Sequence, residues 1–218
     1  MKVRPKSGET RSVESILTSS KENNGDLLKL SAKIDGFEGY HSPHGQRIAA
    51  IADVMATAFN LASRDRFFLQ QAALIHDVGE MSMNREYIRA PRALVETESL
   101  DLQRHPVIGE QEASKLGLPR GAQLIIRWHH EWWNGNGYPD GLEGEQIPLA
   151  ARILRVSDTY AAMTAARPYR AAKTAEEAKK YLIEWSGIEF DPTVVKAFLA
   201  AAQKAQTKPQ PVLQAQTV

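Results

Sequence analysis

The stretch QAALIHDVGE, from Gln71 to Glu80, is an apolar run that closes on a histidine and an aspartate, His76 and Asp77. An apolar run of this kind indicates a buried helix, so the imidazole and the carboxylate are expected at the same depth in the fold. Burying both groups costs free energy unless each has a partner. One metal ion satisfies an imidazole and a carboxylate at once. The stretch therefore predicts a buried helix that ends at a polar site, which is either a metal site or a histidine and an aspartate paired within the core.

The rest of the chain is patterned for helices. Upstream of the run, apolar residues recur at the three- or four-residue spacing of one helix face: Ile48, Ile51, Met55 and Phe59. Downstream, Thr174 and Glu177 match a capping box, and Asp191 followed by Pro192 matches an N-cap with a proline at the first helical position. We predict no strand and no internal repeat. The predicted fold class is therefore all-α, a helical bundle.

Capping residues predict where the other helices begin and end. Ser63 is the expected N-cap of the helix that runs towards His76. Thr97 is expected to cap a helix that ends near His105, where a second helix begins and continues to a stop at Gly117. Together these helices form one domain over residues 30–205. Residues 1–29 are expected to be a tail or linker, and residues 206–218 a disordered C-terminal tail.

The bulk composition is that of a globular protein. The chain has 218 residues, of which 43% are hydrophobic and 24% charged, and a net charge of +1. A charge so close to zero gives no case for a nucleic-acid polymer or a membrane as partner. The absence of cysteine excludes disulfides and thiolate metal sites. No apolar run reaches the roughly 18–20 residues of a membrane span, and no secretory signal pattern is present, so we expect a cytoplasmic protein.

The histidines are confined to one part of the chain. All six lie between His41 and His130. A single histidine on a helix is more often a satisfied core or capping group than a ligand, and Asp158 alone could pair with an arginine. Together, however, seven residues on several predicted helices offer nitrogen and oxygen ligands that suit Fe, Mn, Zn or Co, and a bundle interior is where such sites form. The candidate metal ligands are His44, His76, Asp77, His105, His129, His130 and Asp158.

The sequence HHEWWNGNGYPDGL, from His129 to Leu142, combines the histidine pair with strong turn signals. It predicts the end of a helix that opens into an ordered loop. Glycine and asparagine in this loop allow the backbone to approach a bulky ligand closely.

The order of these motifs closely resembles the HD-GYP family. The motifs are His44-x-x-Arg47-Ile48, Ala73-Leu74-Ile75-His76-Asp77-x-Gly79, His105-Pro106, His129-His130-Glu131, Gly137-Tyr138-Pro139, Asp158, Arg167-Pro168-Tyr169-Arg170 and Phe190-Asp191-Pro192. The resemblance covers about residues 40–200. It implies an HD-superfamily helical bundle with the metal site in its interior and a loop that carries the Gly-Tyr-Pro motif.

The resemblance also implies a site with two divalent metal ions, Fe or Mn. The first ion would be held by His44, His76, Asp77 and Asp158, and the second by Asp77 as a bridge with His105, His129 and His130. The implied substrate-binding positions are Gly137, Tyr138, Pro139, Arg167 and Arg170. We take Asp77 and Glu80 as the catalytic positions.

The chain departs from the family pattern at three positions. Glu80 stands where the family has a lysine that faces the phosphate, Tyr40 stands where some members have a glutamate ligand for a third metal, and Asn134 replaces an aspartate in the loop. Glu38 and His41 lie near Tyr40 in sequence and could substitute for that ligand. Glu80 has three interpretations: a solvated side chain, a cause of weakened catalysis, or an additional metal ligand.

The function implied by the resemblance is metal-dependent hydrolysis of cyclic di-GMP to pGpG and/or GMP. A bridging hydroxide activated by two metal ions would attack the phosphodiester. One alternative is a phosphohydrolase with another nucleotide substrate. Another is a catalytically weakened module that binds a dinucleotide or a protein partner for signalling. The expected partner is a cyclic dinucleotide, and a homodimer or a signalling protein stays open.

Overall fold

The computed structural model describes residues 13–167 and 170–207, and side chains from residue 25 to 204 within those ranges. This part of the chain contains helices and no strand, which confirms the predicted all-α class. The α-helices are α1 (Val13–Phe37), α2 (His44–Ala58), α3 (Ser63–Ile75), α4 (Val78–Met83), α5 (Glu96–Leu102), α6 (His105–Lys115), α7 (Arg120–Trp128), α8 (Leu149–Met163), α9 (Ala175–Glu184) and α10 (Pro192–Thr207). Two short 3₁₀ helices cover Glu86–Arg89 and Gly144–Gln146.

Helix α3 lies at the centre of the bundle, in contact with α1, α2, α7 and α8. Its Leu69 and Ile75 are buried in the same core cluster as Ile48 of α2 and Ile153 of α8. Each such side chain contributes about 1.5–3 kcal/mol when it is fully buried. Because Ile75 immediately precedes His76, the packing of α3 fixes the depth at which the histidine–aspartate pair lies.

Two of the predicted helix starts are confirmed. The hydroxyl of Thr174 accepts a hydrogen bond from the backbone N–H of Glu177 at 3.2 Å, and the Thr174 N–H donates to the Glu177 carboxylate at 2.7 Å. Helix α10 begins at Pro192, and the Asp191 carboxylate accepts from the N–H of Thr193 at 2.7 Å. Both patterns involve residues only two or three positions apart, so they depend little on tertiary packing.

Two other predicted N-caps are wrong. Ser63 is already the first residue of α3, and the N-cap is Ala62. Helix α5 begins at Glu96, one residue before Thr97, because the Glu98 carboxylate accepts from the N–H of Val95 at 3.0 Å and closes the first turn.

The N-terminal boundary also differs from expectation. Helix α1 runs from Val13, although residues 1–29 are expected to be a tail or linker. Leu27 is buried in the core, so packing begins before residue 30. Residues 1–12 and 208–218, which include most of the expected C-terminal tail, lie outside the described residues. The other domain boundaries stay predictions.

Helices α4 and α6 approach each other closely at Gly79. A Cβ atom on Gly79 would collide with the carbonyl oxygen of His105 and lie 2.8 Å from the amide nitrogen of Gly109. Glycine at this position therefore lets the two backbones touch, which brings His105 to the residues that follow α3.

Among the described helices, none combines the length and the apolar character that crossing a membrane requires.

Candidate metal centre

Most of the predicted metal ligands lie at helix ends. His44 and His105 are the first residues of α2 and α6, whereas His76 and His129 directly follow α3 and α7. Asp77 and His130 come next in the chain, and Asp158 projects from the middle of α8. The start of α2 is fixed by Asp35 of α1, whose carboxylate accepts from the backbone N–H groups of His44 and Gly45 at 3.0 Å each.

Three of the histidines share one orienting contact. Their Nδ1 atoms face backbone carbonyl oxygens three residues earlier: His76 with Ala73 at 3.2 Å, His105 with Leu102 at 2.8 Å and His129 with Ile126 at 2.6 Å. A carbonyl can only accept, so Nδ1 carries the proton in each contact and a neutral ring keeps its lone pair on Nε2. This is the arrangement by which proteins prepare histidine to bind a metal through Nε2.

The first predicted ligand group is brought together. Nε2 of His76 lies 3.1 Å from Oδ2 of Asp77 and 3.6 Å from Oδ1 of Asp158. Nε2 of His44 lies 3.9 Å from the same oxygen of Asp158. Four residues from α2, the α3–α4 junction and α8 therefore direct nitrogen and oxygen atoms to one place.

The second predicted group forms on the other side of Asp77. Oδ1 of Asp77 lies 3.2 Å from Nε2 of His105 and 3.4 Å from Nε2 of His129. With His130, these residues each offer a ligand atom within 4.8 Å of the others. Asp77 thus directs Oδ2 to one group and Oδ1 to the other.

The group of Asp77, His105, His129 and His130 could hold a metal ion, and unpaired atoms at the centre of the cluster fit the same interpretation. Nε2 of His76 and Oδ1 of Asp77 are buried and make no hydrogen bond in the described part of the chain. An unpaired buried lone pair costs about 1–3 kcal/mol, and a cation would satisfy both atoms. The donor set of imidazoles and carboxylates suits Fe, Mn, Zn or Co.

The electrostatics of the cluster keep its carboxylates ionised. Burial alone would raise the pKa of Asp77, but the neighbouring imidazoles of His76, His105 and His129 outweigh burial and hold that pKa well below its usual range. Burial likewise opposes ionisation of Asp158, whereas its contact with His76 lowers the pKa of Asp158 to about 2. For His130, burial and the neighbouring His129 and Arg155 hold the pKa well below its usual value.

The loop after the histidine pair is ordered by Glu131. Its buried carboxylate accepts from the N–H groups of Asp140 at 2.7 Å and Leu142 at 3.0 Å. Asn134 has the predicted turn role, since its side-chain oxygen accepts from the N–H of Asn136 at 3.1 Å. A Cβ on Gly137 would lie 2.6 Å from the Glu131 backbone, so this position requires glycine.

The Tyr138 ring lies against the metal cluster. It stacks on His130, with ring centroids 4.9 Å apart and planes 18° apart, and meets His105 edge-on at 6.4 Å. Pro139 follows in the same loop. Of the predicted substrate-binding positions, Gly137, Tyr138 and Pro139 are thus placed beside the second ligand group.

The two predicted arginines have different surroundings. The Arg167 side chain donates to the hydroxyl of Tyr40, and its Nη2 lies 3.9 Å from a carboxylate oxygen of Glu38. Arg170 is exposed and donates to the carbonyl oxygen of Ala162 at 2.5 Å. Pro168 and Tyr169, which complete the predicted motif, lie outside the described residues.

Glu80 is half-buried and lines the cavity described below, so its three interpretations stay predictions. Burial, together with the charge of Asp77, raises the pKa of Glu80 to about 7, while His105 and Arg167 oppose that rise. Glu38 is also buried, and its Oε1 has no hydrogen-bond partner among the described residues. His41 is exposed.

Arg155 and Glu189 belong to the site, although neither was predicted from the sequence. Arg155 donates from Nη1 to Nδ1 of His130 at 2.8 Å and from Nη2 to Glu189 at 2.5 Å. The Tyr181 hydroxyl donates to the other oxygen of Glu189 at 3.0 Å. The available signal was an arginine on the apolar helix of Asp158, three residues before it.

A cavity of about 540 Å³ adjoins the cluster, a size typical of small-molecule sites. Glu38, Glu80 and Arg167 line its inner side, and Arg170 and the segment from Tyr87 to Leu94 complete the wall. Several arginines thus line the cavity, whereas none of the candidate metal ligands and none of Gly137, Tyr138 and Pro139 is among its lining residues.

Comparison with known proteins agrees with this geometry. A family model described as HD domain matches residues 34–194. The chain is 36% identical over 176 residues to the cyclic di-GMP phosphodiesterase response regulator RpfG of Xanthomonas campestris pv. campestris, a match that covers 79% of this chain and 46% of the relative. It is 32% identical over 168 residues to the 3'3'-cGAMP-specific phosphodiesterase 3 of Vibrio cholerae, which covers 77% of this chain and 36% of the relative.

A solved structure shows the same fold. The cyclic GMP-AMP-specific phosphodiesterase V-cGAP3 of V. cholerae superposes with a TM-score of 0.67 at 19% identity, covering 83% of this chain and 48% of that one. The chain spans less than half the length of the two relatives described above.

Proposed function

Because the chain belongs to the HD domain family, and within it resembles the HD-GYP phosphodiesterases, we propose that it hydrolyses a cyclic dinucleotide in a metal-dependent reaction. The observation that carries this proposal is the position of Asp77. Its two carboxylate oxygens face two separate sets of imidazole nitrogens, at 3.1 Å from His76 and 3.2 Å from His105. Two cations held in this way supply Lewis-acid activation of water and of a phosphodiester.

The candidate ligands would hold two divalent ions in two groups. We propose that His44, His76 and Asp158 hold one divalent ion with Asp77, and that His105, His129 and His130 hold the second, Fe or Mn in each case. The Nδ1 contacts to backbone carbonyls keep three of these rings oriented. Tyr138 shields the second group by stacking on His130.

The substrate we propose is cyclic di-GMP, with pGpG and/or GMP as products. The relatives described above are named as phosphodiesterases of cyclic di-GMP and of 3'3'-cGAMP, so a different cyclic dinucleotide is the closest alternative. Arg170 is the more available of the two predicted phosphate contacts. A phosphate that bound Arg167 would have to compete with Tyr40 and Glu38, whose contacts already occupy that guanidinium.

The test combines metal analysis with product chromatography. Protein purified with and without oxygen is analysed for metal and incubated with cyclic di-GMP, 3'3'-cGAMP and cyclic di-AMP. We expect about two ions per chain and linear products from cyclic di-GMP. Asp77→Asn, which keeps the side-chain shape, is the matched inactive control. Product formation that persists at full rate in this variant, or in fully chelated protein, would overturn the proposal.

A second candidate function rests on Glu80. A carboxylate that faces the cavity beside Asp77 repels an anionic substrate, which favours a module that binds a dinucleotide for signalling with little turnover. The same experiment separates the two functions, since bound metal and dinucleotide binding without product would identify the module. A homodimer or a signalling-protein partner stays a prediction.

A further inference from the structure

The cavity beside the metal cluster has an outer wall that no predicted site residue occupies. This wall consists of the 3₁₀ helix Glu86–Arg89, the segment that follows it to Leu94, and Phe37 at the end of α1. The wall is tied to α5, because the Tyr87 hydroxyl donates to Asp101 at 2.9 Å. Within the wall, the N–H of Ala90 donates to the Tyr87 carbonyl at 3.1 Å. Side chains on this wall therefore face the cavity from a fixed backbone.

Four arginines line the cavity, and their partners differ. Arg92 is held by the Glu98 carboxylate through two hydrogen bonds of 2.7 Å. Arg167 is held by Tyr40 and Glu38, and Arg170 donates to a backbone carbonyl. The Arg89 side chain makes no hydrogen bond or ion pair with any residue that the structure describes.

The Arg89 side chain is exposed, and one aromatic contact limits the position of its guanidinium. It lies 4.9 Å from the centre of the Phe37 ring, in a cation–π arrangement. An arginine backed by an aromatic ring keeps all its N–H donors available while its orientation is limited. Such a group suits bidentate recognition of a phosphate.

The charges around the cavity indicate which part of an anionic ligand Arg89 would contact. The carboxylates of the buried Glu38 and the half-buried Glu80 lie on the side next to the cluster, and Arg89 lies on the outer wall. An anionic ligand with one phosphate at the metal cluster would therefore place its remaining negative charge away from the carboxylates. A cyclic dinucleotide carries a second phosphate group of this kind.

We propose that Arg89 is a substrate-binding residue that contacts the phosphate not undergoing cleavage, with Phe37 as its support. This inference rests on the proposed function and deepens it. Arg89 would distinguish a cyclic dinucleotide, which has two phosphodiester groups, from a small phosphodiester that occupies the metal cluster alone.

The test compares Arg89→Ala with Arg92→Ala in the metal-loaded protein. Arg92 is the matched control because it lies three residues away on the same wall and is neutralised by Glu98. Binding is measured by calorimetry with a slowly hydrolysed phosphorothioate analogue of cyclic di-GMP. Hydrolysis is measured with cyclic di-GMP and with bis(p-nitrophenyl) phosphate, and metal per chain is recorded for each variant.

For Arg89→Ala we expect Kd and KM for the dinucleotide to rise about tenfold, the change that corresponds to one lost contact of roughly 1.4 kcal/mol. Metal content and hydrolysis of the small phosphodiester should not change. Arg89→Lys should recover part of the affinity because it keeps the charge but not the bidentate geometry. Arg92→Ala should change Kd by less than about twofold.

Three outcomes would overturn the inference. Unchanged dinucleotide affinity in Arg89→Ala, with a wild-type protein that binds, would remove Arg89 from the substrate site and leave the proposed function standing. Equal losses for both substrates would show a general effect on the metal cluster. A wild-type protein that neither binds nor hydrolyses any cyclic dinucleotide would reject the proposed function and this inference together.

Discussion

Tyr40 lies stacked on the imidazole of His44, with ring centroids 3.7 Å apart and planes inclined by 17°. The same ring lies 4.2 Å from the Arg167 guanidinium, which also donates a hydrogen bond to the Tyr40 hydroxyl. The residue at the position where some HD-GYP proteins have a glutamate ligand is therefore a support for His44 and an anchor for Arg167.

Replacement of Tyr40 should separate these two roles. Tyr40→Phe keeps the ring on His44 and removes the oxygen that Arg167 contacts, so we expect normal metal content and a loss of about 0.5–1.5 kcal/mol in the free energy of unfolding. Tyr40→Ala also removes the buried ring and should cost about 3–5 kcal/mol and weaken metal binding at the first group. Urea unfolding and metal analysis of both variants check this, and full metal content in a folded Tyr40→Ala protein would contradict the support role.

Asp77 should control both metal ions. Because its two oxygens face different ligand groups, Asp77→Ala and Asp77→Asn are each expected to remove both ions rather than one. The measurement is metal per chain, with circular dichroism to confirm folding. His41→Ala is the matched control, since His41 is exposed and should leave metal content unchanged. A folded Asp77 variant that retains one full equivalent would show that the carboxylate does not bridge.

Glu80 should limit turnover because its carboxylate faces the cavity beside Asp77. Above about pH 7, where Glu80 is ionised, Glu80→Gln removes the charge and Glu80→Lys reverses it. In that pH range kcat/KM for cyclic di-GMP should rise in that order, about tenfold for each 1.4 kcal/mol recovered. Glu145→Gln, a change at an exposed carboxylate, is the control. If Glu80 instead binds a metal ion, metal per chain and kcat/KM should fall together in both variants.

The contact between α4 and α6 should depend on Gly79. In Gly79→Ala the added methyl group overlaps the backbone of His105, so the helices must separate. We expect a loss of about 1–3 kcal/mol in the free energy of unfolding and weaker binding of the second metal ion. Gly25→Ala is the control, because a Cβ there meets nothing within 4 Å and the residue lies within α1. That variant should be unchanged or more stable by up to about 1 kcal/mol; equal stability of the two variants would count against the close contact.

Local sequence patterns were sufficient to predict the fold class, the capped starts of α9 and α10, and the candidate ligands. The reason is that helical periodicity and capping depend on residues only a few positions apart, as with Thr174 and Glu177. The apolar run before His76 and Asp77 likewise indicated burial directly. The sequence did not indicate helix α1 from Val13 to Lys29, because that stretch lacks an apolar stripe. The N-caps of α3 and α5 lie one and two residues before the predicted ones.

Only the tertiary structure could decide which groups meet across long distances in the chain. Arg155 reaches His130 and Glu189 because α8 packs beside the loop after α7, and no spacing in the sequence encodes that contact. The same holds for the two faces of Asp77, which depend on how α2, α6 and α8 converge. Helix packing decides whether a charged side chain such as Glu80, Arg89 or Arg167 faces solvent, a cavity or a partner. The residue type alone does not reveal which, because the same charged residue occurs in all three environments.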